Sequence, residues 1–112
     1  MDSILTSVKK ECGIVEEDAS FDHDVIVAIN TVFSDLYQLG VGPTEPFSIT
    51  SDVETWDVFL GERKDLNSVK SYMYLRVKLL FNPPSSSFVL ASFERQIEKL
   101  EFRLNVQAET EV

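Results

Sequence analysis

The chain has 112 residues, 44% of them hydrophobic, a single cysteine and a formal net charge of −9. This length supports one modest core rather than two domains, and the lone Cys12 excludes an internal disulfide and a multi-cysteine metal site. The chain contains neither a run of roughly 20 apolar residues nor a charged and then apolar start, which predicts a soluble, intracellular protein with no membrane partner.

Apolar residues at helical spacing predict two helices in the first part of the chain. The first runs from Asp2 or Ser3 to Cys12 and is stopped by Gly13, which favours a left-handed conformation. The second opens at Asp22, with Phe21 and Ile26 placed to form a hydrophobic staple. Its further apolar residues are Ile29, Phe33 and Leu36. Its stop signals are Gly40, Gly42 and Pro43.

Two prolines predict a loop after the second helix, in which the alternation of residues 47–50 is consistent with one short extended segment. Ser51 and Glu54 have the spacing of a capping box, and the apolar residues that follow predict a helix of one or two turns that ends at Gly61. Trp56 on this helix either plugs the core or is an exposed anchor at an interface.

A fourth helix is predicted from near Asp65 to Phe81. Apolar residues occupy three of its sides, so it either forms the centre of the bundle or also contacts another subunit. Tyr74 and Phe81 lie on the third side and are candidate core or interface anchors. Arg76 falls between two apolar rows, where an unpaired charge is costly, so we expect it to have a carboxylate partner. The first apolar row is Leu66, Val69, Met73, Val77 and Leu80.

Two prolines and three serines break the chain before a fifth helix over residues 88–106, which Ser85 or Ser86 caps. Residues 107–112 are predicted to form a frayed acidic tail. The predicted fold class is therefore all-α, a small helical bundle of four main helices and one short one in a single domain over residues 1–106.

The fifth helix sorts its charges into separate stripes. At about 100° per residue, its apolar seam has acids along one edge and bases beyond the other. Residues of like charge face each other at i,i+4, a small penalty that copies of the chain could offset, so the pattern predicts head-to-tail self-assembly. The seam is Phe93, Ile97, Leu100 and Leu104. The candidate interface residues are Glu94, Arg95, Glu98, Lys99, Glu101, Phe102 and Arg103.

Charge is also divided between the two halves of the chain. From Glu11 to Glu62 there are twelve acids and no Lys or Arg. Duplex DNA is bound through clustered Lys and Arg, so this half should repel DNA. That argues against a DNA-binding module but suits a protein that DNA slides past without adhesion. Solubility alone is the other interpretation of this acidity.

No catalytic, cofactor or metal site is predicted. His23, the only histidine, lies in the first turn of the second helix between two aspartates, where a surface role explains it. The acids within residues 16–24 form a loose oxygen cluster but lack the central glycine of an EF-hand loop. Cys12 at a helix C-terminus is not activated by the helix dipole, and no serine lies in a nucleophile elbow. We therefore do not expect an enzyme.

Several ordered blocks resemble a known family. Over residues 21–106 the chain is similar to the small head-tail connector, or adaptor, proteins of tailed bacteriophages and prophages. The blocks that carry the resemblance are residues 39–43, 55–61, 69–81, the turn at 82–87 and residues 103–106.

The resemblance implies a helical structural protein without catalytic residues, located in the virion neck and assembled in the bacterial host cytoplasm. Such a protein forms a ring, typically a dodecamer, beneath the portal protein, and a stopper or tail-completion protein attaches to it. Genomic DNA passes through the lumen of the ring without specific binding. On this interpretation the fifth helix contacts the portal or a neighbouring copy of the chain.

An acidic helical regulator, such as a DNA-mimicking inhibitor that binds a basic protein, is the alternative. It would bind one partner through the acidic stretch from Glu11 to Glu62, whereas a connector needs two mutually complementary faces that close a ring. The basic stripe of the fifth helix favours the connector.

Overall fold

The computed structural model describes residues 3–43, 45–61, 68–81 and 83–109. Within these ranges it contains five helices and no β-strand, which confirms the predicted all-α fold. The helices are α1 (Ile4–Glu11), α2 (Asp22–Gln38), α3 (Trp56–Leu60), α4 (Val69–Phe81) and α5 (Ser87–Glu109). None of them is long and apolar enough to cross a bilayer.

A buried lysine ties α1 to the acidic connection that follows it. Ser3 is the N-cap of α1 rather than a residue within it, and the glycine after its end has a positive φ, as predicted. Lys9 Nζ donates hydrogen bonds to the carbonyls of Glu16 and Asp18, at 3.0 and 2.8 Å, and lies 2.7 Å from Asp22 Oδ1. The connection is thereby folded back between α1 and the start of α2, a role that the sequence did not indicate for this lysine.

The start of α2 differs from the prediction. Asp22 is its first helical residue rather than its cap, and no side chain caps the helix. Phe21 packs edge-to-face on Phe81 with 5.4 Å between ring centroids, so it joins the start of α2 to the end of α4. Ile26, the predicted staple partner, is half-buried. The residues that α2 buries are Val25, Ile29, Val32, Phe33 and Leu36.

A side chain, not a strand, holds the segment over residues 47–50. Asn30 Nδ2 donates to the Ile49 carbonyl at 3.0 Å, and Asn30 Oδ1 accepts a hydrogen bond from the Ile49 N–H at 2.8 Å. Ile49 is fully buried, and Phe47 packs edge-to-face on Phe33 beside it. The backbone groups that would otherwise need a neighbouring strand are satisfied by one amide.

The prediction of a capping box at Ser51 and Glu54 is wrong. α3 begins at Trp56, after Thr55, and no side chain caps it. The Glu54 carboxylate instead accepts hydrogen bonds from the N–H and the hydroxyl of Thr50, at 2.9 and 3.0 Å, and from the Ser51 N–H at 3.4 Å. The carboxylate therefore closes a turn that precedes the helix.

Aromatic rings fill the core beneath α3. Trp56 is 4% exposed, its ring lies 6.2 Å from that of Phe33 and 6.3 Å from that of Tyr74, and its Nε1 donates to Ser7 Oγ at 3.0 Å. Of the two alternatives for Trp56, the structure shows the core plug.

α4 is the centre of the bundle, since it packs against α1, α2 and α5. The first predicted apolar row is wrong at its end, because Leu80 is 58% exposed. The predicted start near Asp65, and Leu66, lie outside the described residues. The side chains that α4 buries are Val69, Tyr72, Met73 and Val77.

α5 follows Ser86, whose Oγ accepts a hydrogen bond from the Val89 N–H at 3.4 Å. The helix extends to Glu109, so residues 107–109 are helical although the sequence placed them in the tail. The predicted seam packs on α4, with Ile97 and Leu104 buried and Phe93 and Leu100 half-buried.

Candidate interaction surface

A polar cluster fixes α5 against α4 and α2. Arg76 Nη2 lies 2.6 Å from Asp35 Oδ2, and Arg76 Nη1 donates to Tyr72 Oη at 2.6 Å. Tyr72 donates in turn to Glu101 Oε2 at 2.7 Å, and this oxygen lies 4.0 Å from Arg76 Nη1. The carboxylate partner predicted for Arg76 is confirmed. Because Glu101 must face Tyr72, the cluster sets the rotation of α5 about its own axis.

The protonation of this cluster follows from burial and pairing. Burial, followed by the hydrogen bond to Glu101, raises the pKa of Tyr72 to about 12. Desolvation alone would lower the pKa of Arg76, but its hydrogen bonds to Asp35 and Tyr72 outweigh that effect and raise it. At neutral pH the cluster therefore holds a neutral phenol beside a permanent cation.

With α5 fixed in this way, a mixed basic and apolar face points outward. Arg95, Lys99 and Arg103 are exposed, and the exposed fractions of Phe102 and Val106 are 73% and 40%. At about 100° per residue these five residues lie on the side of the helix away from the seam. We call them the outward face of α5. Val106 was not among the predicted interface residues, although its i,i+4 spacing from Phe102 was the signal that could have found it.

The acidic stripe of α5 is divided between two roles. Glu94 and Glu98 are exposed along one flank of the helix. Glu101, predicted as an interface candidate with them, bonds to Tyr72 within its own chain. The structure therefore leaves two of the three acids open to a partner.

The bases of α5 also border a groove between α4 and α5. The groove has a volume of about 250 Å³, an apolar floor that includes Leu75 and Leu100, and Lys99 and Arg103 in its wall. Lys99 and Arg103 therefore belong both to the outward face and to the lining of this groove.

The remaining site candidates lie inside the fold. Tyr74 is half-buried beside Trp56, and Phe81 is half-buried against Phe21. Arg76 belongs to the polar cluster. The sequence signal for Tyr72, the fourth member of that cluster, was its i,i+4 spacing from Arg76, which the hydrophobic pattern of α4 concealed.

The described residues include those considered above for metal binding and catalysis. No three His, Cys, Asp or Glu side chains among them are placed to hold a metal ion. Cys12 is buried, and burial raises the pKa of its thiol, which keeps it protonated and unreactive. His23 is exposed in the first turn of α2.

The sequence matches the family described as phage connector protein over residues 4–111, which is nearly its whole length. The chain belongs to the phage connector protein family. Comparisons with curated proteins and with solved structures found no match. In this connector the matched region includes all five helices, so the polar cluster and the outward face of α5 both lie within the family's domain. Family membership supports a structural connector role in a phage.

Proposed function

We propose that this connector forms a ring beneath the portal of a tailed phage, in the virion neck. There it continues the DNA channel and gives a stopper or tail-completion protein a docking site. The observation that carries the proposal is the outward face of α5, where three bases and two large apolar side chains are uncovered on a chain of net charge −9. Apolar side chains rimmed by charge are typical of protein interfaces.

The acidity of the first half fits the passage of DNA through the ring. Glu16, Glu17, Asp18 and Asp24 are exposed, and no Lys or Arg occurs between Glu11 and Glu62. Such a surface repels phosphates and so lowers adhesion. The connector would then act by surface complementarity alone, with no turnover and no specific binding of DNA.

Electron microscopy of portal-bearing particles, with and without the purified connector, tests this function. We expect a ring of density to appear below the portal when the connector is added, with twelve-fold symmetry as in the dodecamer expected of such proteins. A connector that leaves the particles unchanged, or that binds a basic protein one-to-one in place of forming a ring, would contradict the proposal.

A charge reversal on α5 tests the surface that the proposal uses. Lys99→Glu should reduce neck formation most at low ionic strength, and the difference from wild type should shrink as salt is added. Lys10→Glu is the matched control, because it makes the same change in net charge at an exposed lysine of α1. Neck formation that Lys99→Glu leaves unchanged would refute a role for this face.

A further inference from the structure

A second uncovered helical face complements the outward face of α5. One side of α2 is exposed along most of its length and carries acid, apolar and small polar side chains but no Lys or Arg. Val27 is 52% exposed on this side. We call it the outward face of α2, and its residues are His23, Asp24, Val27, Thr31, Ser34 and Gln38.

The side chains of the two faces differ in size and in charge, and on α2 the acid opposite to the α5 bases is Asp24. On α5, Lys99 and Arg103 flank Phe102 within about one turn of helix. A large exposed ring of this kind packs best into a depression between smaller side chains. On α2, Thr31 and Ser34 are small and follow Val27, so they offer such a depression beside an apolar contact.

We infer that the C-terminal half of the outward face of α5 packs on the outward face of α2 in a second copy of the chain. Phe102 then lies against Val27 and the small side chains after it, and the α5 bases lie near Asp24. This inference rests on the proposed ring and deepens it, because it names the two surfaces that join neighbouring copies. A second copy is the occupant because it supplies the opposite charge and the apolar contact on one rigid helix.

In the proposed ring each copy uses its α5 face for one neighbour and its α2 face for the other. Such a heterologous contact closes into a ring or extends into a filament. Both faces belong to one rigid body, because α4 packs against both helices and Arg76 links Asp35 of α2 to Tyr72, which bonds Glu101 of α5. The polar cluster therefore sets the rotation from one copy to the next.

The apolar part of this contact is tested with two aspartate substitutions on α5. Phe102→Asp should reduce ring occupancy on portal particles at least about tenfold, as expected for a large aromatic anchor. Phe88→Asp is the matched control, since Phe88 is 79% exposed on the same helix but about 21 Å away along its axis, and it should change occupancy less than about twofold. Far-UV circular dichroism establishes that both variants are folded.

The partner of α5 is identified by a charge exchange. Lys99→Glu and Asp24→Lys should each weaken ring formation, and a chain that carries both changes should recover it to within about threefold of wild type. Asp24 lies in the first turn of α2, where its loss weakens the helix. His23→Lys, beside Asp24 on the exposed side of α2, leaves both first-turn aspartates in place. It is therefore paired with Lys99→Glu as a second combination that should also restore the ring.

The outcomes separate this inference from the proposed function. Rings that form equally well with Phe102→Asp overturn the pairing and leave the connector ring intact. A loss with Lys99→Glu that neither change on α2 restores also overturns the pairing, because it places α5 against the portal. The absence of any ring with the wild-type chain overturns the proposed function itself.

Discussion

Arg76 joins three helices, because its guanidinium pairs with Asp35 of α2 and donates to Tyr72, which in turn bonds Glu101 of α5. Its position between apolar rows predicted a carboxylate partner, and Asp35 lies 2.6 Å from it. The identity of that partner could not be predicted, because Asp35 is far away in the chain and spacing along one helix does not tell which helices meet. Lys9 shows the same limit, since its three partners follow from a folded connection rather than from its own helix.

Tyr72 makes the stability of the protein sensitive to alkali. Its pKa is about 12 in the fold against a usual 10.0. The contribution of the neutral Tyr72 hydroxyl to the free energy of unfolding is therefore complete below pH 10 and is lost as the pH rises towards 12. We expect the free energy of unfolding in urea to fall more steeply over this range for the wild type than for Tyr72→Phe. Tyr37→Phe, at an exposed tyrosine, should leave the steep fall in place. Equal slopes for wild type and Tyr72→Phe would contradict this assignment.

Lys9 contributes to stability through its ammonium group. The side chain is 3% exposed. Among the described residues Asp22 Oδ1 accepts no well-aligned hydrogen bond, so the 2.7 Å ion pair with Lys9 compensates its charge. Lys9→Met keeps the apolar stem and removes that compensation, and it should lower the free energy of unfolding by about 2–3 kcal/mol. Lys10→Met, at an exposed site, should change it by less than about 0.5 kcal/mol in the same denaturation experiment. Similar losses of unfolding free energy for the two variants would show that Lys9 contributes through its apolar stem alone and that its ammonium group adds nothing.

At the scale of the elements, helix stops were easier to predict than helix starts. A glycine that must adopt a positive φ ends a helix whatever surrounds it, and α1, α2 and α3 all end as predicted. A start depends on which backbone N–H a side chain reaches, and the Ser51 to Glu54 spacing also fits a turn. In the structure the Glu54 carboxylate bonds Thr50, because residues 50–54 form a turn before α3 begins. The backbone over residues 47–50 is likewise held by hydrogen bonds between Asn30 and Ile49, and no local sequence pattern predicts that partner.

The loop before α3 depends on a glycine that touches the aromatic core. Gly42 has φ +104°, and a Cβ there would lie 2.6 Å from Phe59 Cζ. Gly40 has φ +80° with nothing within 4 Å of such a Cβ. A substitution at Gly40 therefore measures the cost of the backbone conformation alone, without a steric contact. Gly40→Ala should cost about 1 kcal/mol of unfolding free energy, and Gly42→Ala about 2–4 kcal/mol because Phe59 must also move. Equal costs in chemical denaturation would show that the Phe59 side chain moves away from the new Cβ without a loss of unfolding free energy.

The candidate site was predicted in part at this scale. The seam of α5 and its exposed bases followed from helical periodicity, because a surface helix must bury one stripe. The assignment of Glu101 to an interface did not anticipate its hydrogen bond to Tyr72, since periodicity places a residue on a face but does not show what lies opposite. Val106 and the outward face of α2 were missed because Val106 is uncharged and the α2 face has a single acid, Asp24, rather than a stripe of charges.

At the scale of the whole molecule, charge acts on folding and on assembly in opposite directions. The acids from Glu11 to Glu62 repel one another within a single chain, so screening by salt should stabilise the fold. In the proposed ring the bases on α5 attract acids on a neighbouring copy, so the same screening should weaken the ring. A connector of this kind would be most stable as a chain under conditions in which it assembles least.

Salt titration separates these two effects. Between about 0.02 and 0.2 M NaCl, over which the screening length falls from roughly 20 to 7 Å, the melting temperature of the isolated chain should rise while ring occupancy on portal particles falls. Lys99→Glu is the control, because its melting temperature should rise as in the wild type whereas its ring occupancy, already low, should depend less on salt. If ring occupancy instead rose with salt, apolar contacts or the stability of the chain would govern assembly, and the electrostatic part of the proposed interface would be wrong.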